Sequence, residues 1–114
     1  MELDSVGEVI ATRRLFRAGD DTAGVIAVKM GKPVPYPDGQ DYYCPYQVTG
    51  LGDEKVRYAA GIDAFQAMQL ALRMIGTDLY IRLNRLCAGR LRWEGDDDGD
   101  LGFPPPPARM GPGD

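Results

Sequence analysis

The sequence predicts an α+β domain: a four- to five-stranded antiparallel sheet with one long helix packed on one face. Three observations carry this reading. Four stretches before residue 61 alternate apolar and polar side chains at the period of a strand. One stretch, from residue 63 to about 86, repeats apolar residues every three or four positions, the period of a helix. The chain has 114 residues, 44% of them apolar, enough for one ordinary core.

The first strand is expected from Val6 to Phe16, with Val9, Ala11 and Leu15 on one face. Arg13 interrupts that face, as it would at a bulge or an edge. Arg17 to Thr22 is a turn by its Gly and Asp content. The second strand, Ala23 to Met30, turns Ile26, Val28 and Met30 inward and Lys29 outward. Gly31 to Gln40 carries Pro33, Pro35 and Pro37 and reads as an ordered, irregular loop. The third strand is Tyr42 to Thr49. Tyr42, Cys44, Tyr46 and Val48 share one face; Tyr43, Gln47 and Thr49 share the other. Pro45 lacks a donor and points to an edge or a bulge. The fourth strand, Lys55 to Ala60, is expected to turn Val56, Tyr58 and Ala60 inward.

Asp63 is a good helix N-cap, and Gln66 three residues on completes a capping box. Phe65, Met68, Leu72, Ile75 and Leu79 form the expected buried stripe, widened by Ala64, Ala67 and Ala71. Gln66, Gln69, Arg73 and Thr77 form the wet face. Gly76 costs a helix interior about 1 kcal/mol, but Leu79, Leu83 and Leu86 continue the pattern. One helix to about Leu86 is therefore expected, with Gly89 as its stop. Arg90 to Glu94 reads as a fifth strand. Residues 1–103 then form a single globular domain. Residues 104–114 form a Pro/Gly-rich tail, poorly ordered unless it packs on the body.

Charge and composition exclude more than they assign. Thirteen Lys plus Arg stand against seventeen Asp plus Glu, a net charge of -4. Such a surface is repelled by phosphate backbones and anionic lipid, which argues against general nucleic-acid or membrane binding. Arg82, Arg85, Arg90 and Arg92 are a modest basic cluster that suits a helix C-terminus. The longest apolar stretch, Ala64 to Ile75, is broken by Gln66, Gln69 and Arg73. It is far short of the roughly 20 residues of a membrane span. No signal-peptide pattern is seen, and a cytoplasmic location is the expectation.

Histidine is absent and Ser5 is the only serine, so Ser–His and Cys–His nucleophiles and His-based metal sites have no parts. Cys44 and Cys87 are far apart, and Cys44 falls on an inward face, where thiols behave as small hydrophobes. The run Asp96, Asp97, Asp98 and Asp100 invites a calcium loop. Counted from Glu94, Asp96, Asp98 and Gly99 fall at the third, fifth and sixth places. However, Pro105 stands at the twelfth place, which needs a bidentate Glu, and no helix enters. A solvated turn accounts for the run. Gly50-x-Gly52 lacks the third glycine of a dinucleotide fingerprint and reads as a turn. Asp78 is placed to pair with Arg82 at i+4. No cofactor and no metal are expected.

Asp41 to Gly50 ("DYYCPYQVTG"), Ala59 to Tyr80 ("AAGIDAFQAMQLALRMIGTDLY"), "LRWEG" and "GFP" together resemble a group of small bacterial proteins known only as a domain of unknown function. The resemblance spans roughly Asp41 to Pro104. It implies a bacterial source and a sheet-plus-helix domain, and no reaction, ligand or catalytic residue.

The functional expectation is a non-enzymatic protein-binding module of the immunity or adaptor kind. Its candidate residues are the aromatic pair Tyr36 and Tyr43 with Asp96, Asp97, Asp98 and Asp100, facing a basic partner. Two alternatives stand beside it. One is a carboxylate-based metal-dependent protein or enzyme, with the Asp96–Asp100 run folded against a pocket. The other is a structural homo-oligomer that pairs through its sheet edge or its helix as a homo-dimer.

Overall fold

The computed structural model describes residues 1–19, 25–93 and 98–106. Its strands are β1 (Val9–Arg17), β2 (Ile26–Gly31), β3 (Val34–Pro35), β4 (Tyr42–Thr49), β5 (Arg57–Gly61) and β6 (Leu91–Trp93). A helix lies between β5 and β6: α1 (Ala64–Thr77), a π-helical stretch (Asp78–Leu83) and α2 (Asn84–Leu86). All strand pairings are antiparallel. The fold is the α+β sheet with one helix that the sequence predicts, with six strands rather than four or five. The extra one is the two-residue β3 inside the proline loop.

β4 lies between β5 on one side and β2 with β3 on the other. Tyr46 and Val48 pair with Met30 and Val28 of β2. Tyr43 pairs with Val34 of β3 on the same side, and with Ala60 of β5 on the other. β2 and β3 are therefore one strand broken by a bulge: residues 31–33 oppose only Cys44 and Pro45. Pro45, which has no N–H to give a ladder, sits opposite that break. A second bulge separates Val9 from Ala11 in β1. Beyond β1 lies β6, which returns after the helix to pair with Leu15, Phe16 and Arg17.

The helix begins where the sequence places it. The Asp63 carboxylate accepts from the Gln66 N–H at 2.7 Å, and the Gln66 side chain reaches back to accept from the Ile62 N–H at 2.8 Å. It runs unbroken through Gly76 to Leu86, and the turn that stops it closes at Gly89, which has φ +75° and donates to the Asn84 carbonyl.

The buried stripe differs from the expectation. Ala67, Ala71, Ile75, Leu79, Leu83 and Cys87 are all buried, while Phe65 is 77% exposed and Leu72 36%. The small alanines let α1 lie close to β5, so the nearer face holds alanine and the larger side chains are turned aside. The stripe has a strict spacing of four. In an α-helix four residues turn through about 400°, so such a stripe drifts by about 40° at each step. The π-helical stretch has wider turns closed by i→i+5 bonds. It turns the stripe back, so that Leu79, Leu83 and Cys87 still face the sheet.

The register of β5 is also corrected. Ala59 is buried and Ala60 exposed, and Tyr58 pairs with Pro45 on the face away from the helix. Val56 is buried, but it precedes the strand. Arg13, the apparent misfit in β1, faces the core side. Its guanidinium lies 3.9 Å from the Trp93 ring centre and 4.7 Å from that of Phe103, and it donates to the Leu101 carbonyl at 3.1 Å. Leu101 is fully buried, and the carbonyl of Pro104 lies directly against Gly76. The C-terminal segment thus crosses the helix where the helix has no side chain.

Candidate functional site

The structure brings Tyr36 and Tyr43 together. β3 holds Val34 against Tyr43, and a tight turn follows in which Tyr36 donates to the Asp41 carbonyl and Gly39 to that of Tyr36. The rings meet edge-to-face at 5.2 Å between centroids, and Tyr58 joins Tyr43 at 6.0 Å. All three are half-buried on the open face of the sheet. Burial, with the neighbouring phenol of Tyr58 and the carboxylate of Asp41, holds the Tyr36 hydroxyl above its ordinary pKa. Tyr58 is the member that the sequence reading turned inward.

The acidic residues do not join this cluster. Asp100 lies on the helix side. It accepts from the Gly102 N–H at 2.8 Å and the Tyr80 hydroxyl at 3.0 Å, and these bonds hold its pKa below the usual carboxylate value. The Tyr80 hydroxyl accepts from the Leu101 N–H in turn. Asp100 therefore fastens the C-terminal segment to the helix. Asp98 is exposed. Asp96 and Asp97 lie outside the described residues. No group of three or more Cys, Asp and Glu that could hold a metal occurs among the described residues. Cys44 and Cys87 are free and buried, and burial pushes the Cys44 thiol up to about 11.

A larger feature lies at the other end of β4's pairing. β5 is an edge strand: it pairs with β4 and with no other strand among the described residues. Along it runs an open groove of about 1000 Å³. Leu70, Met74 and Thr77 of α1 form one wall, and Met1–Asp4 of the N-terminal segment form the other. Val56, Ala59 and the buried Tyr46 lie at its base. The N-terminal segment reaches this place by crossing the open face at Gly31, where Lys32 donates to the Glu8 carbonyl and a side chain on residue 31 would strike the Val6 carbonyl.

One end of the groove is closed by ion pairs. Arg82 grips Asp78 through two bonds of 2.8 and 3.0 Å and reaches Asp53 at 2.9 Å. Arg57 lies 3.3 Å from Asp53 and 3.8 Å from Asp78. The Asp78–Arg82 pair is the one the i+4 spacing predicts. A backbone bond from Lys55, with Arg82 and Arg57, holds Asp53 low; the Asp78 carboxylate raises Arg82. Beneath this ring, burial and the Asp78 charge push the Tyr46 phenol up to about 12. The four charged groups satisfy one another. The rest of the groove mixes apolar side chains, Leu3, Leu70 and Met74 among them, with the charged Glu2, Asp4, Glu54, Lys55 and Arg73, beside the unpaired edge of β5.

Sequence reasoning did not find this groove. Its parts come from segments near residues 1, 56 and 74, and the only early signal was the short strand after residue 55. Among the described residues, no helix is long and apolar enough to cross a membrane. No curated protein and no solved structure matches the chain. The family described as a domain of unknown function, DUF6968, matches residues 11–105, further toward the N-terminus than the resemblance quoted above, and the chain belongs to that family.

Proposed function

We propose that this protein is a bacterial, cytoplasmic, non-enzymatic binding module of the adaptor or immunity kind, and that it takes an extended segment of a partner protein along β5. The observation that carries the reading is the unpaired edge of β5 beside an apolar helix wall. An extended peptide added there gains main-chain hydrogen bonds from the strand and places alternate side chains against Leu70 and Met74. The ring of Asp53, Arg57, Asp78 and Arg82 braces β5 against the helix and keeps the groove open at a fixed width. The net charge of -4 favours a partner with a basic face, through steering rather than through affinity.

Selection from a displayed library of random linear peptides tests this. Binders should carry alternating apolar residues. Met74→Glu should weaken them at least about tenfold, the scale of a lost apolar contact with a charge in its place. Met74 is 40% exposed, so the variant should keep its fold. Peptides that bind wild type and Met74→Glu equally, or a selection yielding no binders, would refute the reading.

A further inference from the structure

Tyr46 is only 2% exposed, and it lines the base of the β5 groove. Its hydroxyl makes no hydrogen bond to any described residue. Among the described residues, the one fully enclosed side-chain polar atom without a partner is Nε of Arg17. The Tyr46 hydroxyl therefore meets the space of the groove. Buried phenols ordinarily find a partner. Burial and the Asp78 charge push this one's pKa up to about 12, so at neutral pH it keeps its proton and is a donor. The nearby ions are spent on one another. Asp78 holds Arg82 through both carboxylate oxygens, and Arg57 and Arg82 share Asp53. Each Asp78 oxygen still has a second lone pair, and Asp78 lines the same groove.

We propose that the Tyr46 hydroxyl and the Asp78 carboxylate form a subsite for a carboxamide side chain, Gln or Asn, of the bound segment. The inference rests on reading the groove as a strand-addition site. An amide supplies both halves at once: its carbonyl accepts from Tyr46 and its N–H donates to Asp78. An apolar side chain would leave the hydroxyl unpaired and cut off from water. A cation offers Tyr46 no acceptor. A carboxylate would face Asp78 while Arg57 and Arg82 are already paired. The register says where the amide stands. Tyr46 pairs with Arg57, and Cys44 with Ala59. A strand laid along β5 has one residue opposite Arg57, in line with Tyr46. Another, two positions away and on the same face, lies opposite Ala59, toward Leu70 and Met74. Reaching past Arg57 favours the longer Gln. The recognised pattern is an apolar residue and a carboxamide two positions apart.

Two measurements on the full chain test the inference. Peptides selected from the random library should carry Gln or Asn two positions from an apolar residue. Replacing that amide by Met, of similar size, should weaken binding to wild type about tenfold, the scale of a buried donor left unpaired. Tyr46→Phe, which loses no bond within the protein, should keep its fold and bind both peptides equally. Binders that depend on Met74 but show no amide preference would overturn the inference and leave strand addition standing. So would an amide preference that survives Tyr46→Phe. The second measurement needs no peptide. Propionamide, the Gln side chain alone, titrated to about 0.5 M as so small a ligand requires, should shift the backbone amide resonances of Val56 and Asp78 toward saturation in wild type and not in Tyr46→Phe. No shift in wild type, or the same shift in both, would overturn the proposal. A saturating shift beside a selection without binders would refute strand addition and keep the carboxamide subsite.

Discussion

The carbonyl oxygen of Pro104 occupies the place where a side chain on Gly76 would begin. Gly76 is helical and has no positive φ, so its backbone does not require glycine; the approach of the C-terminal segment does. Gly76→Ala should destabilise the domain by about 1–3 kcal/mol, the cost of overpacking, despite the better helix propensity of alanine. In a chain shortened to end at Phe103 the same substitution should become neutral or stabilising. Denaturant titration of the four proteins checks both signs.

The buried stripe predicts a contrast between two leucines. Leu79 is fully buried and Leu72 is 36% exposed. Leu79→Ala should cost about 2–5 kcal/mol, and Leu72→Ala no more than about 1 kcal/mol. Equal losses in thermal or urea unfolding would contradict the assigned helix face.

Arg13 joins β1 to the C-terminal segment through Trp93, Phe103 and the Leu101 carbonyl. Arg13→Lys should lose much of the stacked contact and the planar fork, at about 1 kcal/mol. Trp93 is the only tryptophan, so its emission should shift in the folded variant. An unchanged spectrum would show that the ring does not feel the guanidinium.

The alkaline limb of stability should carry the signature of Tyr46. Its folded pKa is about 12, above the ordinary value of 10.0. Below pH 10 the neutral phenol is favoured in both states and its contribution is fully present. As pH rises from 10 towards 12, the unfolded state gives up its proton first and that contribution is lost. Tyr46→Phe should flatten the decline. Cys44, pushed to about 11, adds to the same limb from 9.0 upward, so the comparison belongs in a Cys44→Ala background.

Much of the fold is legible because local chemistry fixes it. Asp63 and Gly89 mark the helix ends through a side-chain cap and a positive φ. Ile26, Val28, Tyr46 and Val48 alternate cleanly, and all four are buried. The reading went astray where close approach outranked hydrophobicity. Phe65 and Leu72 look more like core than Ala67 and Ala71, yet a helix set close to a sheet buries the small residues. Tyr58 was turned the wrong way because the alternation was counted from Val56, which lies outside β5. Tyr36 and Tyr43 are legible as a pair, one in the proline loop and one on the outer face of the next strand, because the loop that separates them is short. The groove was not, because the unpaired edge of β5 and the path of Met1–Asp4 are properties of the assembled sheet.

Amide hydrogen exchange across β5 tests the central claim most directly. The outward-facing N–H groups of Arg57–Gly61 should exchange fast in the free protein, as for an edge strand, and slow down when a selected peptide is bound. Protection of β5 together with shifts at Leu70 and Met74 is the result expected of strand addition in the groove. A peptide that binds and leaves β5 exchange unchanged, with its shifts at Tyr36, Tyr43 and Tyr58 instead, would contradict it.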